Sequence, residues 1–394
     1  MNHETCSKSR RNERILMKKV SYKPSSAYVH IPFCTQICYY CDFAKVYIKN
    51  QPVDAYITAL LEEVATEKIS ELQTLYIGGG TPTALTAEQL DRLLAGLTQN
   101  LDLTMLQEFT VEANPGDLSD DKIAVLKKNH VNRVSLGVQT FNDKLLNKIG
   151  RSHNSQDVFD NVAKLRAAGF DNITIDLIYA LPGQTMADVK KDIENILSLN
   201  LPHVALYSLI LENHTIFMNK MRRGRLDLPS EDTDFEMYNY IIDSLQAAGY
   251  AHYEISNFGK TGYESAHNLM YWDNAEYYGF GAGASGYVDG VRYKNHVPIH
   301  HYLQHTDKQA VKEKLTQKEQ MEEELFLGLR KKSGVNTQHF SEKFYQDFDS
   351  IYGQIVANLI EKQLLEKSGD QIFMTRQGLM LGNDVFEAFI LDDD

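Results

Sequence analysis

The chain has 394 residues, enough for about two or three domains and a sizeable core. Hydrophobic residues make up 43% and charged residues 24%, the balance of a folded globular protein, which excludes wholesale disorder. A formal net charge of −13 argues against a nucleic-acid or anionic-membrane surface, since both need concentrated Lys and Arg.

From the N-terminus, residues 1–21 are polar and basic and lack the apolar stretch of a signal peptide. They read as a poorly ordered extension, with Met1 and Met17 both open as the start and Cys6 incidental. Residues 22–249 alternate short apolar runs with helical patterns. The predicted strands are Ala27–Ile31, Thr74–Ile77, Glu108–Ala113, Arg133–Val138, Asn172–Ile178 and His203–Leu209. Between them, Val53, Tyr56, Ile57, Leu60, Leu61 and Val64 share one helical face. Thr86 and Gln89 have capping-box spacing ahead of Leu90, Leu93, Leu94 and Leu97. Val158, Val162 and Leu165 lead to Gly169, which reads as a C-terminal cap.

Such alternation predicts an α/β fold with a parallel sheet and right-handed crossovers. Six units fall short of the eight of a closed barrel. An open (β/α)6 partial TIM barrel and a doubly wound sheet both fit. Polar residues collect at the C-terminal strand ends, where barrel enzymes build their sites, and this favours the open barrel. Residues 250–306 are rich in Gly and Tyr and read as short accessory strands that extend the sheet or cover its mouth. Residues 307–394 begin charged and helical, then give two helical patterns and a hairpin at Ser368-Gly369-Asp370. They predict a small C-terminal helical, winged-helix-like domain. Its many acidic residues suit packing or protein contact better than DNA. No apolar run approaches the roughly 18 residues of a spanning helix, so no integral membrane segment is expected. Four cysteines in so long a chain do not make a disulfide framework, which points to the reducing cytoplasm.

Three of those four cysteines are Cys34, Cys38 and Cys41, spaced C-x3-C-x2-C. Thiolates this close in one loop can converge on a soft metal centre. Three are one short of a closed four-thiolate site, which would leave one iron of a 4Fe–4S cluster with an open position. The rival is structural zinc with His30 as the fourth ligand, although such sites usually pair separated two-cysteine knuckles. Three merely packed thiols are a weaker rival.

The motif with Tyr40 before its last cysteine resembles the signature of the radical S-adenosylmethionine superfamily. "YVHIPFC", "GGGTPT", "EANP", "RVSLGVQTFND", "DLIYALPGQT" and "HNLMYW" narrow the resemblance to one branch. That branch holds oxygen-independent coproporphyrinogen III oxidase and, more similar still, the haem chaperone HemW family. The resemblance runs from about Tyr28 onward. It implies that Cys34, Cys38 and Cys41 ligate the cluster. It implies that Tyr28, Tyr40, Gly79, Gly80, Thr81, Glu112, Gln139, Arg151 and Asp176 contact S-adenosylmethionine, which fills the open iron position. Taken singly, each of these has a bland alternative: a strand-ending turn for Gly78 to Gly80, a loop carboxylate for Glu112, a solvated charge for Arg151.

Two departures separate the relatives. The oxidase carries a further cysteine where this chain has Phe43, and little structured chain precedes Tyr28 here. The resemblance therefore implies a haem carrier with a cluster and exchangeable S-adenosylmethionine, passing haem to an acceptor such as a membrane respiratory protein. It makes His267 the candidate haem ligand, with Tyr271 and Trp272 beside the porphyrin. His214, His252, His300 and His301 are further candidates. Oxidative decarboxylation of a porphyrinogen is the alternative, and a zinc-stabilised interaction protein is a third.

Overall fold

The computed structural model describes residues 24–391; the extension expected over residues 1–21 lies outside the described residues. Six parallel strands lie in chain order: β1 Ser26–Ile31, β2 Thr74–Gly79, β3 Glu108–Ala113, β4 Arg133–Gln139, β5 Asn172–Tyr179 and β6 His203–Ser208. A doubly wound sheet reverses its strand order at a switch point. This one never reverses, so right-handed crossovers put the intervening helices on one side. The result is an open barrel of alternating α and β elements. Tyr278–Phe280 extends it parallel to β1, and Asn257–Gly259 extends it antiparallel to β6. Among the described residues no ladder joins the two edges.

Strand periodicity sorts the side chains by face. Phe109, Val111, Val134, Leu136, Val138, Ile173, Ile175 and Leu177 are buried in the main core. The alternate residues are polar: Thr110 and Glu112, Arg133 and Ser135, Thr174 and Asp176. The barrel lumen is therefore hydrophilic. The helices start where their caps dictate. Thr86 and Gln89 form the predicted capping box, and Val53–Thr66 and Ala87–Asn100 bury the predicted faces. Gly169 takes φ +81°, a left-handed position that suits glycine after the helix Ser155–Ala167.

One stretch differs from its sequence pattern. Residues 309–314 were expected to be helical. They form an edge strand, Gln309–Lys314, paired with Val291–Asn295. The helix begins only at Gln317, where Thr316 and Glu319 close a capping box. The lysines and glutamate of "QAVKEK" suit an exposed edge, where charge discourages further pairing. Beyond it, the helices Gln317–Gly328, Thr337–Phe344 and Phe348–Glu361 pack through Phe340, Phe344, Phe348 and Tyr352. The strands Val335–Asn336, Gln371–Met374 and Leu365–Ser368 form a small antiparallel wing. Gly369, φ +58°, makes the tight turn between the last two. No helix among the described residues is long and apolar enough to cross a membrane.

Candidate functional site

The C-terminal ends of β1 to β6 open onto a cavity of about 400 Å³. The cysteine loop forms one wall. Phe33–Cys34 pairs with Val46–Tyr47, so the loop carrying Cys38 and Cys41 is closed at its base. Cys34 is buried, Cys38 and Cys41 are half-buried, and all three are free thiols. Burial pushes the Cys34 thiol up to about 12, and the neighbouring Cys41 and Cys38 push the same way. Burial also raises Cys41. Arg151 Nη1 lies 3.4 Å from Cys38 Sγ, and Lys45 donates to the Cys41 carbonyl. Two cations beside three crowded thiols favour thiolate once a metal is bound.

The second wall is the end of β2. Gly79 has φ +113°, and a Cβ there would meet the His30 ring at 2.5 Å. A Cβ on Gly80 would sit 2.9 Å from Cys34 Sγ and 2.8 Å from the Phe33 carbonyl. These glycines let β2 pass directly beneath the cysteine loop. Thr81 Oγ1 lies 3.8 Å from Cys34 Sγ and accepts the Asn114 amide at 2.9 Å. Asn114 Oδ1 in turn accepts from Arg151 Nη2 at 2.6 Å, and Arg151 also donates to the Gly137 carbonyl. Arg151 Nε is buried without a protein partner, so the guanidinium keeps a donor in reserve. Gln139 sits at a β-bulge with φ +69°, a costly conformation for a non-glycine residue and one that clusters at binding sites.

The floor carries two carboxylates. Glu112 accepts from Tyr76 OH at 2.7 Å and from Gly79 N at 3.1 Å. Burial lifts it to about 7, with the Asp176 charge adding to the rise. Asp176 accepts from Ser135 Oγ at 2.7 Å and is lifted by burial to about 6. A cationic ligand would let both ionise.

Of the sequence-predicted residues, Cys34, Cys38, Cys41, Tyr40, Gly79, Gly80, Thr81, Glu112, Gln139, Arg151 and Asp176 all line this one cavity. Tyr28 and His267 are not among the lining residues. Tyr28 OH bonds His30 Nδ1 at 2.9 Å, and its ring stacks on Tyr76. His267 is 1% exposed, with Nδ1 2.8 Å from Thr74 Oγ1 and Nε2 3.0 Å from Tyr271 OH. Its ring stacks on Tyr76, and burial lowers its pKa to about 3. Trp272 packs beneath the Arg330 guanidinium. From the "HNLMYW" motif, Asn268 is the residue that reaches the cavity. His252 stacks on Phe258 and faces the Ile255 carbonyl. His300 and His301 lie in a cluster with His296 and His305.

Sequence reasoning missed Tyr76, Arg133, Ser135 and Lys45 as lining residues. The first three were visible as alternate positions on strands whose other face is apolar. The zinc alternative loses its fourth ligand, because both His30 nitrogens are engaged, Nε2 with the Ala44 carbonyl at 2.7 Å. Among the described residues no three His, Cys, Asp or Glu side chains gather tightly enough for a single ion. A cubane presents separate irons to separate thiolates and takes a wider ligand set.

Residues 28–196 match the Radical SAM superfamily, and residues 315–381 match the HemN C-terminal domain. The chain is 61% identical to the heme chaperone HemW of Lactococcus lactis subsp. lactis, over 94% of this chain and 98% of that one. It is 46% identical to the Bacillus subtilis heme chaperone HemW, over 93% and 99%. The chain belongs to the HemW family. Among solved structures it superposes on coproporphyrinogen III oxidase (HemN) of Escherichia coli with a TM-score of 0.81. That match covers 94% of this chain and 91% of the other at 23% identity, which shows a shared fold. HemW similarity thus spans barrel, accessory strands and tail together.

Proposed function

We infer that this protein is a cytoplasmic haem chaperone. It binds haem and a 4Fe–4S cluster with exchangeable S-adenosylmethionine, and it transfers haem to an acceptor protein. The observation that carries this reading is the full-length similarity to curated heme chaperones, covering 98% of the Lactococcus protein. The cavity supports the cofactor part. Cys34, Cys38 and Cys41 would hold the cluster, and Gly79, Gly80 and Thr81 would admit the adenosylmethionine against β2. Arg151 would spend its free Nε on the ligand's carboxylate, and Glu112 and Asp176 would take its cationic and ribose groups. When bound, the cluster supplies a one-electron donor and a Lewis-acidic iron. The chain's own part is to hold three thiolates beside Arg151 and Lys45 and to exclude bulk water below the loop. Tyr28 would act one layer beneath, orienting His30 and Tyr76. As folded, His267 has no nitrogen free for iron. Its expected role as axial ligand would require breaking its bond to Tyr271 or Thr74. The acceptor, a membrane respiratory protein being the expected kind, would meet this chain without a membrane anchor in the described residues.

The test is anaerobic reconstitution followed by iron and sulfide analysis and titration with haemin. Uptake of iron and sulfide with a haemin-dependent absorbance band is expected. Absence of any haemin-dependent change overturns the reading. The shared HemN fold keeps a second reading, porphyrinogen decarboxylation; formation of decarboxylated porphyrin under reducing anaerobic conditions would select it.

A further inference from the structure

Asp192 is a buried carboxylate outside the cavity. It lies on the helix Met186–Leu199, is 5% exposed, and is not among the lining residues. Burial lifts its carboxyl to about 7, and the nearby Asp188 pushes the same way; among the described residues no cation pairs with it. An unpaired carboxylate is costly to bury, and an apolar side chain would fill the same place at less cost.

Its oxygens go to the two residues that follow Gln139. Oδ1 accepts from Phe141 N at 2.7 Å, and Oδ2 accepts from Thr140 Oγ1 at 2.9 Å. Thr140 is fully buried, and its hydroxyl accepts in turn from Asn142 N at 3.1 Å. Asn142 Nδ2 reaches back to Asp188 Oδ1 at 2.8 Å, one turn earlier on the same helix. Three consecutive residues are thus tied to one helix.

The turn before them needs such a tie. Thr140 N donates to the Val138 carbonyl at 2.9 Å, and Gln139 between them has φ +69°. That geometry is the rare and strained form of γ-turn. Strain of this kind persists only where the surroundings over-determine it. The Gln139 amide meanwhile lies over Gly137. A Cβ added to Gly137 would meet Gln139 Nε2 at 3.1 Å, Asn114 Oδ1 at 3.2 Å and Arg151 Nη2 at 3.4 Å. Gln139 therefore stands beside the Asn114–Arg151 pair that faces Cys38.

We propose that Asp192 is a positioning residue for adenosylmethionine: by holding Thr140 and Phe141 it keeps the Gln139 turn closed and the Gln139 amide in the cavity beside Asn114 and Arg151. The proposal rests on the reading of this cavity as the adenosylmethionine site. Asp192 acts only through Gln139.

The test measures adenosylmethionine affinity by equilibrium dialysis on full-length, anaerobically reconstituted protein, well below its melting temperature. Asp192→Ala is expected to weaken binding about five- to tenfold, the effect of one or two lost hydrogen bonds. Asp192→Asn keeps an oxygen for Phe141 N and an amide for Thr140 Oγ1, so it should stay within about twofold of wild type. Thr140→Val opens half of the tie at nearly constant shape and should weaken binding about threefold; it carries the test if Asp192→Ala does not fold. Gln139→Ala supplies the other side of a double-mutant cycle, and in that background Asp192→Ala or Thr140→Val should cost no more than about twofold further. Wild-type affinity in folded Asp192→Ala, or in Thr140→Val where the former does not fold, overturns the proposal and leaves Asp192 a residue of the fold alone. A full additive loss on top of Gln139→Ala overturns it too, because Asp192 would then act by another route. If the wild-type protein binds no adenosylmethionine, the reading of the cavity falls, and the proposal with it.

Discussion

His267→Ala separates a haem ligand from a structural pin. In the fold this imidazole joins β2 to the helix Ala266–Trp272 through Thr74 and Tyr271, and it stacks on Tyr76 at 5.1 Å between centroids. Glu108 holds the start of the same helix by accepting from Ala266 N at 2.8 Å. Truncation removes two buried hydrogen bonds, worth about 1 kcal/mol each. It also removes one ring stack of about 1 kcal/mol and leaves a cavity that the packed strands cannot fill. The sum is about 3–4 kcal/mol. In a chain of this size that lowers the thermal midpoint by roughly 6–8 °C, at about 2 °C per kcal/mol. Because His267 is held neutral down to about pH 3, the loss should be the same across the working pH range. The assay is thermal unfolding of cofactor-free protein at several pH values, beside haemin titration of the folded fraction. A variant as stable as wild type but unable to bind haemin would refute the structural role and restore His267 as ligand.

Gly80→Ala drives a methyl into Cys34 Sγ and the Phe33 carbonyl, so it should destabilise by about 1–3 kcal/mol and lower the iron and sulfide retained after reconstitution. Arg151→Met strands Asn114 Oδ1 and the Gly137 carbonyl and removes the cation beside Cys38; a loss of about 2–4 kcal/mol in denaturant titration is expected, with faster cluster loss in air. Glu112, lifted from 4.5 to about 7, keeps its proton in the fold where the unfolded chain has lost it, so its contribution is present at acid pH and declines as pH rises through that window. Glu112→Gln should therefore flatten the stability–pH profile of cofactor-free protein between those values and raise its melting temperature above pH 7.

The barrel was legible because both periodicities were clean. Apolar residues recur at two along β3 to β5 and at the helical spacing along Val53–Thr66. The cysteine spacing survives translation into structure because all three cysteines lie in one loop, where sequence distance bounds spatial distance. Other features depend on what a strand meets across the sheet. Tyr28 lies on β1 near the predicted contacts, yet its side chain turns to His30 and Tyr76. His267 looked available because its partners, Thr74 and Tyr76, are nearly two hundred residues earlier in the chain. The charged run 309–314 looked helical because lysine and glutamate favour helices. Pairing with Val291–Asn295 overrode that preference.

The cofactor cavity and the segment that leaves β6 share a wall. Tyr39 and Tyr40, between two of the cysteines, pack in a small second core with Leu145, Leu146, Ile149 and Phe217, which also receives Leu209 and Leu211. Tyr39 N donates to the Ile149 carbonyl at 3.0 Å, and its own carbonyl accepts from Phe217. Whatever orders the cysteine loop therefore also sets the segment that carries Leu209, Leu211 and Phe217. Coupling of this kind is reciprocal. If a filled cluster site strengthens haem binding by some factor, bound haem strengthens retention of the cluster and its adenosylmethionine by the same factor.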